Sequence, residues 1–306
     1  MVSNPTAIRF SDIGERLRAF RMGRSLTPEA LAQKLGISRA ALYRAEKGQI
    51  PKIETLTRIA DVLGVSLPNL LGVGVEYVDT AVAFFERMRQ CEEQCQQIVV
   101  LFGPVSYLLT SDQYDRMLHE VLLESVPDEP ERAPEAMQAI ETLMGILAAR
   151  KALYLRKRPL IVSLIASADL ERFLLHGLIG RHDLPADVVH ERRLQARQEA
   201  EHILELIRKE PEGVRIGIVR ETIPATSFQI FRQADRSLLA ISPFRLGEQP
   251  NVRVGVALIT SAHEAMVLHD SIATRLWDRS LKGADAAAYL AGLIDRYGLK
   301  DDAPAA

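Results

Sequence analysis

The chain has 306 residues but only two cysteines, one tryptophan and 6% aromatic residues. Cys91 and Cys95 cannot build a disulfide framework. They read as two thiols one helical turn apart, packed in a core, and they suit a reduced, cytoplasmic compartment. Few cations lie near them to activate a thiolate. The longest apolar run, Ile98 to Leu109, is broken by Gly103 and Pro104. It is too short to cross a bilayer, so no membrane partner is expected. The first ten residues hold no apolar segment of the kind that directs secretion. Also missing are a GxxxxGK[ST] phosphate loop, GxGxxG, HExxH and GxSxG. No catalytic residue, metal site or cofactor is therefore assigned, and an enzyme is not expected.

Net charge is nearly absent too, at −2, but its distribution is uneven. Residues 1–75 hold 11 Lys or Arg against 6 Asp or Glu, which is +5; the remainder holds 27 against 34, which is −7. A basic first quarter ahead of an acidic remainder is the electrostatic footprint of a nucleic-acid-binding segment joined to something else. The length itself predicts two domains.

The basic segment has a clear pattern. In LTPEALAQKLGISRAALYRAEKG, Leu26 to Gly48, apolar residues recur at three- and four-residue steps, as helix packing requires. Thr27 is placed to N-cap one helix, with Pro28 in its first turn. Gly36 sits at the turn, and Ser38 is placed to N-cap the second helix. Helix, glycine turn and helix make a helix-turn-helix. Helices are also expected over Ile13 to Met22, Ile53 to Leu63 and Leu67 to Leu71.

Residues 13–72 resemble the five-helix DNA-binding domain of the lambda, Cro and 434 repressors, the XRE family. The resemblance lies in Leu31-Ala32, Gly36-Ile37-Ser38, Glu46-Lys47-Gly48, Pro51, Leu56, Ile59-Ala60, Leu63-Gly64-Val65 and Leu70-Leu71. It implies base contacts from Arg39, Ala40, Tyr43 and Arg44 on the outward face of the second helix. It implies phosphate contacts from Thr27, Ser38, Lys47 and Lys52. Many members carry Gln where this chain has Pro28, so that phosphate contact is missing here. A homodimer on a palindromic double-stranded operator follows, with half-site centres about 10–10.5 base pairs apart.

Beyond Gly72-Val73-Gly74 the pattern predicts a connector helix over Tyr77 to Leu101, within a linking segment at 76–102. Its stripe of Val78, Val82, Phe85, Met88 and Ile98 is expected to dimerise. Residues 103–300 are expected to form an α/β (α+β) domain with about five mainly C-terminal strands. These are Leu160 to Ala166, Val214 to Val219, Phe228 to Arg232, Leu238 to Ile241 and Val252 to Ile259. Helices are expected over Leu109 to Val126, Glu135 to Arg156, Asp169 to Ile179, Pro185 to Lys209, Ser271 to Ser280 and Asp285 to Tyr297. An exposed loop is expected at Asp128 to Pro134 and a frayed tail at 301–306.

This larger part resembles the uncharacterised domain of many actinobacterial regulators, through Tyr107-Leu108-Leu109-Thr110, Tyr114, Arg192-Arg193, Arg197-Gln198 and the helix holding Trp277. It also resembles the phospholipase D-like sensor fold of some archaeal sugar regulators, through SFQIFRQADRSLLAISPF and Leu276-Trp277. No histidine here opens the His-x-Lys-x4-Asp motif of that fold's enzymes, so the resemblance implies a catalytically dead version.

The polar clusters read as structural. His190 and His202 share one expected helix and could seat a metal, but such histidines are ordinarily solvated or core-bound. The run RKALYLRKR, Arg150 to Arg158, complements a helix dipole. Arg192, Arg193 and Arg197 fit a solvated salt-bridge face. The sequence thus points to a dimeric transcriptional regulator whose larger domain senses a small effector. The alternatives are an antitoxin-like or scaffold protein, whose larger domain binds another protein, and an enzyme targeted to DNA.

Overall fold

The computed structural model describes residues 9–49, 51–104, 106–126, 133–247 and 249–299. Of the loop expected at Asp128 to Pro134, residues 128–132 lie outside them, as does the tail 301–306, while Ala133 and Pro134 are helical.

Five helices open the chain: α1 (Phe10–Gly23), α2 (Pro28–Leu35), α3 (Arg39–Glu46), α4 (Ile53–Leu63) and α5 (Leu67–Leu71). Three use the same start signal. The hydroxyls of Thr27, Ser38 and Ser66 accept the N–H of Ala30, Ala41 and Asn69, at 3.1, 3.1 and 3.2 Å. Each satisfies a donor that the first helical turn leaves without a partner. Leu17, Phe20, Leu31, Leu35, Leu42, Ile59 and Leu63 meet in the centre, all buried.

The rest is a mixed seven-stranded sheet with helices on both faces. The strands are β1 (Val75–Val78), β2 (Cys95–Leu101), β3 (Leu160–Ala166), β4 (Val214–Val219), β5 (Ser227–Gln233), β6 (Ser237–Ser242) and β7 (Ala257–Thr260). Their order is β1-β7-β6-β5-β2-β3-β4. Strands β2, β3 and β4 are parallel, and every other pairing is antiparallel. The crossovers carry α7 (Asp112–Glu124) and α8 (Ala133–Lys157), then α9 (Ser167–His176) and α10 (Ala186–Lys209). Two C-terminal helices follow β7, α11 (His263–Arg279) and α12 (Gly283–Tyr297). Helix α11 covers one face over Leu101, Leu164, Phe228 and Leu239, while the larger core lies on the other face.

The connector is not one helix. Residues 75–101 form β1, then α6 (Ala81–Glu93), then β2. The pattern misled because no Gly or Pro separates α6 from β2; the chain leaves the helix at Gln94 alone. Cys91 therefore lies on α6 and Cys95 opens β2. Two strands, β1 and β2, join the five expected.

The dimerisation stripe is corrected as well. Val78, Val82, Phe85, Met88 and Ile98 are between 0% and 7% exposed, all inside the protomer's own core. Helix α6 is packed between α1 and α8. Burying each large apolar side chain there contributes roughly 1.5–3 kcal/mol, so the stripe is already occupied within its own protomer.

The helical domain and the sheet share this core, which runs unbroken from Ile13, Leu17 and Phe20 into Val82, Phe84 and Met88. The glycine-rich junction is not a loose linker. Strand β1 begins one residue after Gly74 and pairs with β7 as the sheet's edge. The Asn69 side chain, on α5, donates to the Tyr77 carbonyl at 2.9 Å and accepts the Tyr77 N–H at 2.8 Å. It occupies the outward backbone groups of Tyr77, which would otherwise be open to another strand.

Candidate nucleic-acid interface

Gly36 ends α2 with φ of +64°, a left-handed conformation that costs glycine little. The N–H groups of Gly36 and Ile37 then reach the carbonyls of Gln33 and Ala32 at 3.1 and 3.0 Å. This turn aims α3. Leu42 and Ala45 face inward and are buried, which leaves Arg39, Ala40, Tyr43 and Arg44 exposed. Tyr43 is 60% exposed, far more than an aromatic with only a packing role.

Two contacts missed in the sequence hold α3 in place. Arg21 grips Glu46 through two bonds of 2.6 and 3.2 Å and donates to the Leu26 carbonyl at 2.8 Å. It thus ties the end of α3 to the start of α2. Gly14 on α1 lies so close that a Cβ there would stand 2.6 Å from the Glu46 carbonyl oxygen. The separation of 25 positions from Arg21 to Glu46 leaves no local signal for that pair.

The exposed row is chemically suited to DNA. Arg39 rests on Glu29 at 2.8 Å, but both are more than half exposed. Such a pair contributes about 0–1 kcal/mol and exchanges readily for a guanine edge. Lys47 sits 5.8 Å over the Tyr43 ring. Lys52 occupies the N-cap position of α4 and is exposed. Thr27 and Ser38 spend their oxygens as caps, which leaves each hydroxyl proton to donate to a phosphate.

The charge excess of the first 75 residues divides in two. Five of the eleven cations turn away: Arg9 to Asp235, Arg16 to Glu76, Arg18 to Glu86, Arg21 to Glu46 and Arg24 to Asp79. The other six, Lys34, Arg39, Arg44, Lys47, Lys52 and Arg58, are all exposed. Lys34 and Arg58 were not among the expected contacts; Arg58 also bonds the Leu35 carbonyl.

The inward cations build an ionic junction between the two halves. Glu76 on β1, 3% exposed, is held by Arg87 at 2.7 and 3.1 Å and by Arg16 at 3.0 Å. Burial alone would raise its carboxyl, but the two guanidiniums outweigh burial and hold it below the usual range. Arg87 also donates to Gln90 at 2.6 Å, and Gln90 donates to the Glu15 carbonyl at 3.1 Å. Arg236 on the β5–β6 turn pairs with Asp12 of α1. Burial also opposes the Asp12 charge, and Arg236 overcomes it and lowers the carboxyl. Burial raises Glu15 instead, because Arg87 compensates it incompletely.

The remaining candidates resolve into packing. Burial lifts the Cys91 thiol to about 12 and the Cys95 thiol to about 11, so neither is a nucleophile near neutrality. Among the described residues, no three His, Cys, Asp or Glu side chains cluster so as to hold a metal ion. His202 contacts the Leu109 carbonyl at 3.0 Å. Arg150 is buried against Glu92, with bonds from 2.5 to 3.1 Å, rather than serving the helix end. Arg192 is buried as well and reaches Glu120 and Glu124 on α7 at 2.8 and 2.6 Å, so it is no part of a solvated face. Arg197 does pair with Glu201 one turn on, at 2.9 Å. No helix of the described residues is long and apolar enough to cross a membrane.

Comparison with known proteins agrees with the α2–α3 geometry. Residues 17–70 match the helix-turn-helix family model. A 94-residue stretch is 33% identical to the uncharacterised HTH-type transcriptional regulator RghRB of Bacillus subtilis, covering 30% of this chain and 65% of that protein. Among solved structures, TrmBL2, an archaeal chromatin protein with a novel mode of DNA binding, aligns over 87% of this chain and 93% of its own, at 10% identity and a TM-score of 0.32. ComR of S. thermophilus aligns over 64% of this chain and 72% of its own, at 17% identity and a TM-score of 0.20. TM-scores this low do not establish a shared fold. Residues 17–70 are thus a helix-turn-helix segment by sequence match as well as by geometry.

Proposed function

We propose that the chain is a cytoplasmic, sequence-specific DNA-binding transcriptional regulator without catalytic activity of its own. It reads an inverted-repeat operator as a homodimer, and its α/β domain responds to a small effector. The observation that carries this reading is the solvent-facing row of Arg39, Ala40, Tyr43 and Arg44 on α3, flanked by Lys47 and Lys52. Apolar residues of α3 face the core, so the polar row has no packing role. The matching helix-turn-helix model and the regulator relative support the same reading. Pairing of two copies uses a face other than the apolar side of α6, which its own protomer covers. Selection of bound sequences from a random duplex library tests the proposal. An enriched inverted repeat with half-sites about 10–10.5 base pairs apart is expected. Recovery of no consensus at physiological salt refutes it.

A further inference from the structure

An apolar cleft lies on the α/β domain beside the helix that holds the DNA-binding domain. Val82 of α6 and Ala136, Ala139, Ile140 and Leu143 of α8 line it, with a volume of about 70 Å³. Three small lining residues, Ala81, Ala136 and Ala139, leave space where larger side chains would close the packing. One charged residue reaches it, Arg253 in the segment before β7. Arg253 donates to the Ser125 carbonyl at 2.9 Å and has no carboxylate partner among the described residues. Ala136 lies in the first turn of α8, a 25-residue helix whose positive end is partly offset by Glu135 beside it. A small apolar space edged by one guanidinium suits a ligand with an apolar tail and one anionic head.

The neighbourhood gives such a ligand a route to the DNA-binding domain. Four consecutive residues do different work. Asp79 takes two bonds from Arg24 at the end of α1, at 3.0 and 2.9 Å, and Arg24 also holds the Leu63 carbonyl of α4 at 2.9 Å. Thr80 caps α6 and abuts Gly23, where a Cβ would stand 2.4 Å from its hydroxyl. Ala81 and Val82 line the cleft. A ligand that shifts the first turn of α6 therefore acts directly on the seats of α1 and α4.

We infer that this cleft binds a small aliphatic carboxylate, whose tail packs against Val82, Ile140 and Leu143 and whose head meets Arg253. Its occupancy alters DNA affinity through the first turn of α6; this last step rests on the regulator reading. The volume is roughly half that of a 150 Å³ apolar cavity that accepts benzene, which limits the buried tail to about three to five carbons. An effector shifts affinity only if it binds the DNA-competent arrangement and its alternative unequally.

The test uses the full chain and isovalerate as the probe, with isovaleramide as its uncharged twin. Methyl NMR titration should move Val82, Ala139, Ile140 and Leu143, with the acid binding at least 10-fold tighter than the amide. Arg253→Gln should remove that preference, and Ala139→Leu should abolish binding of both. Ala136→Leu serves the same purpose if Ala139→Leu does not fold. Equal binding of acid and amide, or shifts confined to other methyls, overturns the site. With selected DNA, saturating isovalerate should change affinity at least 3-fold; no change overturns the coupling. A chain that binds isovalerate but no DNA defeats the regulator reading alone, and one that binds DNA but not isovalerate defeats the cleft alone.

Discussion

Replacing Glu76 by alanine should be among the most damaging single changes outside the apolar core. Glu76 answers two guanidiniums at once, those of Arg87 and Arg16, whose side chains are 3% and 11% exposed. Removing it leaves Arg87 buried beside another cation, with Glu15, 3.4 Å away, as its remaining acid. Breaking a buried pair in this way costs roughly 3–5 kcal/mol, because the surviving charge keeps its desolvation penalty. A folded chain is stable by about 5–15 kcal/mol, so the loss takes a large share of the total. Urea denaturation, followed by far-UV circular dichroism, should show the midpoint fall with little change in slope. The double change Glu76→Leu with Arg87→Met should recover part of the loss, since it removes a buried charge of each sign. The effect should persist in 0.5 M salt, which screens exposed pairs far more than buried ones. A loss below about 1 kcal/mol for Glu76→Ala, or one that salt erases, would refute the argument, because either marks an exposed pair. The same junction sets the acid limit. Glu76 and Asp12 titrate lower folded than unfolded, so their stabilisation is complete above the ordinary carboxylate range, near pH 4, and is lost as pH falls through their folded values. Glu15 is raised, so protonating it on acidification stabilises the fold and partly offsets that loss.

Arg44→Ala should weaken binding to the selected operator by roughly 1–3 kcal/mol more than to random duplex, measured by fluorescence anisotropy; equal losses would make Arg44 a phosphate contact. Lys47→Gln should lower the slope of log K against log salt by about one, and an unchanged slope removes Lys47 from the interface. Cys91, with its thiol lifted to about 12, should resist maleimide at pH 8 in the folded chain and react in urea; prompt labelling when folded would contradict its burial. Phe85→Asp should unfold the protein, seen as lost thermal cooperativity, because the side chain is 4% exposed within the protomer core. A folded chain that merely changes sedimentation would place Phe85 at an interface between copies.

What could be read in the sequence was set by local signals. The serine and threonine caps, Gly36 and the three- and four-residue apolar steps each act within one or two helical turns, so α2 to α5 stood out from pattern alone. Strands β3 to β6 were visible for the same reason, because turn residues bound them. Strand β2 was hidden because CQQIVVL continues the apolar spacing of α6, and only the sheet partners β3 and β5 make it extended. Long-range pairs were not visible at all. Arg16, Arg18 and Arg24 counted toward a basic DNA-binding face, yet their partners Glu76, Glu86 and Asp79 lie 55 to 68 residues downstream. Arg150 looked like a helix-end cation for the same reason, although Glu92 buries it 58 residues away.

The junction sets how the α/β domain can act on the helix-turn-helix. Were the helix-turn-helix tethered by a flexible linker, an effector could act only by changing how two copies assemble. Here α1 shares its core with α6, and Asp12, Arg16 and Arg24 fasten it to the β5–β6 turn, to β1 and to the start of α6. Glu46, at the end of α3, is in turn held by Arg21 on α1. The seat of α3 is therefore tied to α6 through the shared core and the Arg21–Glu46 pair, with no loose segment between them. Packed interiors respond to strain by moving elements as units rather than by local yielding. Any rearrangement of α6 is thus carried to the exposed side chains of α3.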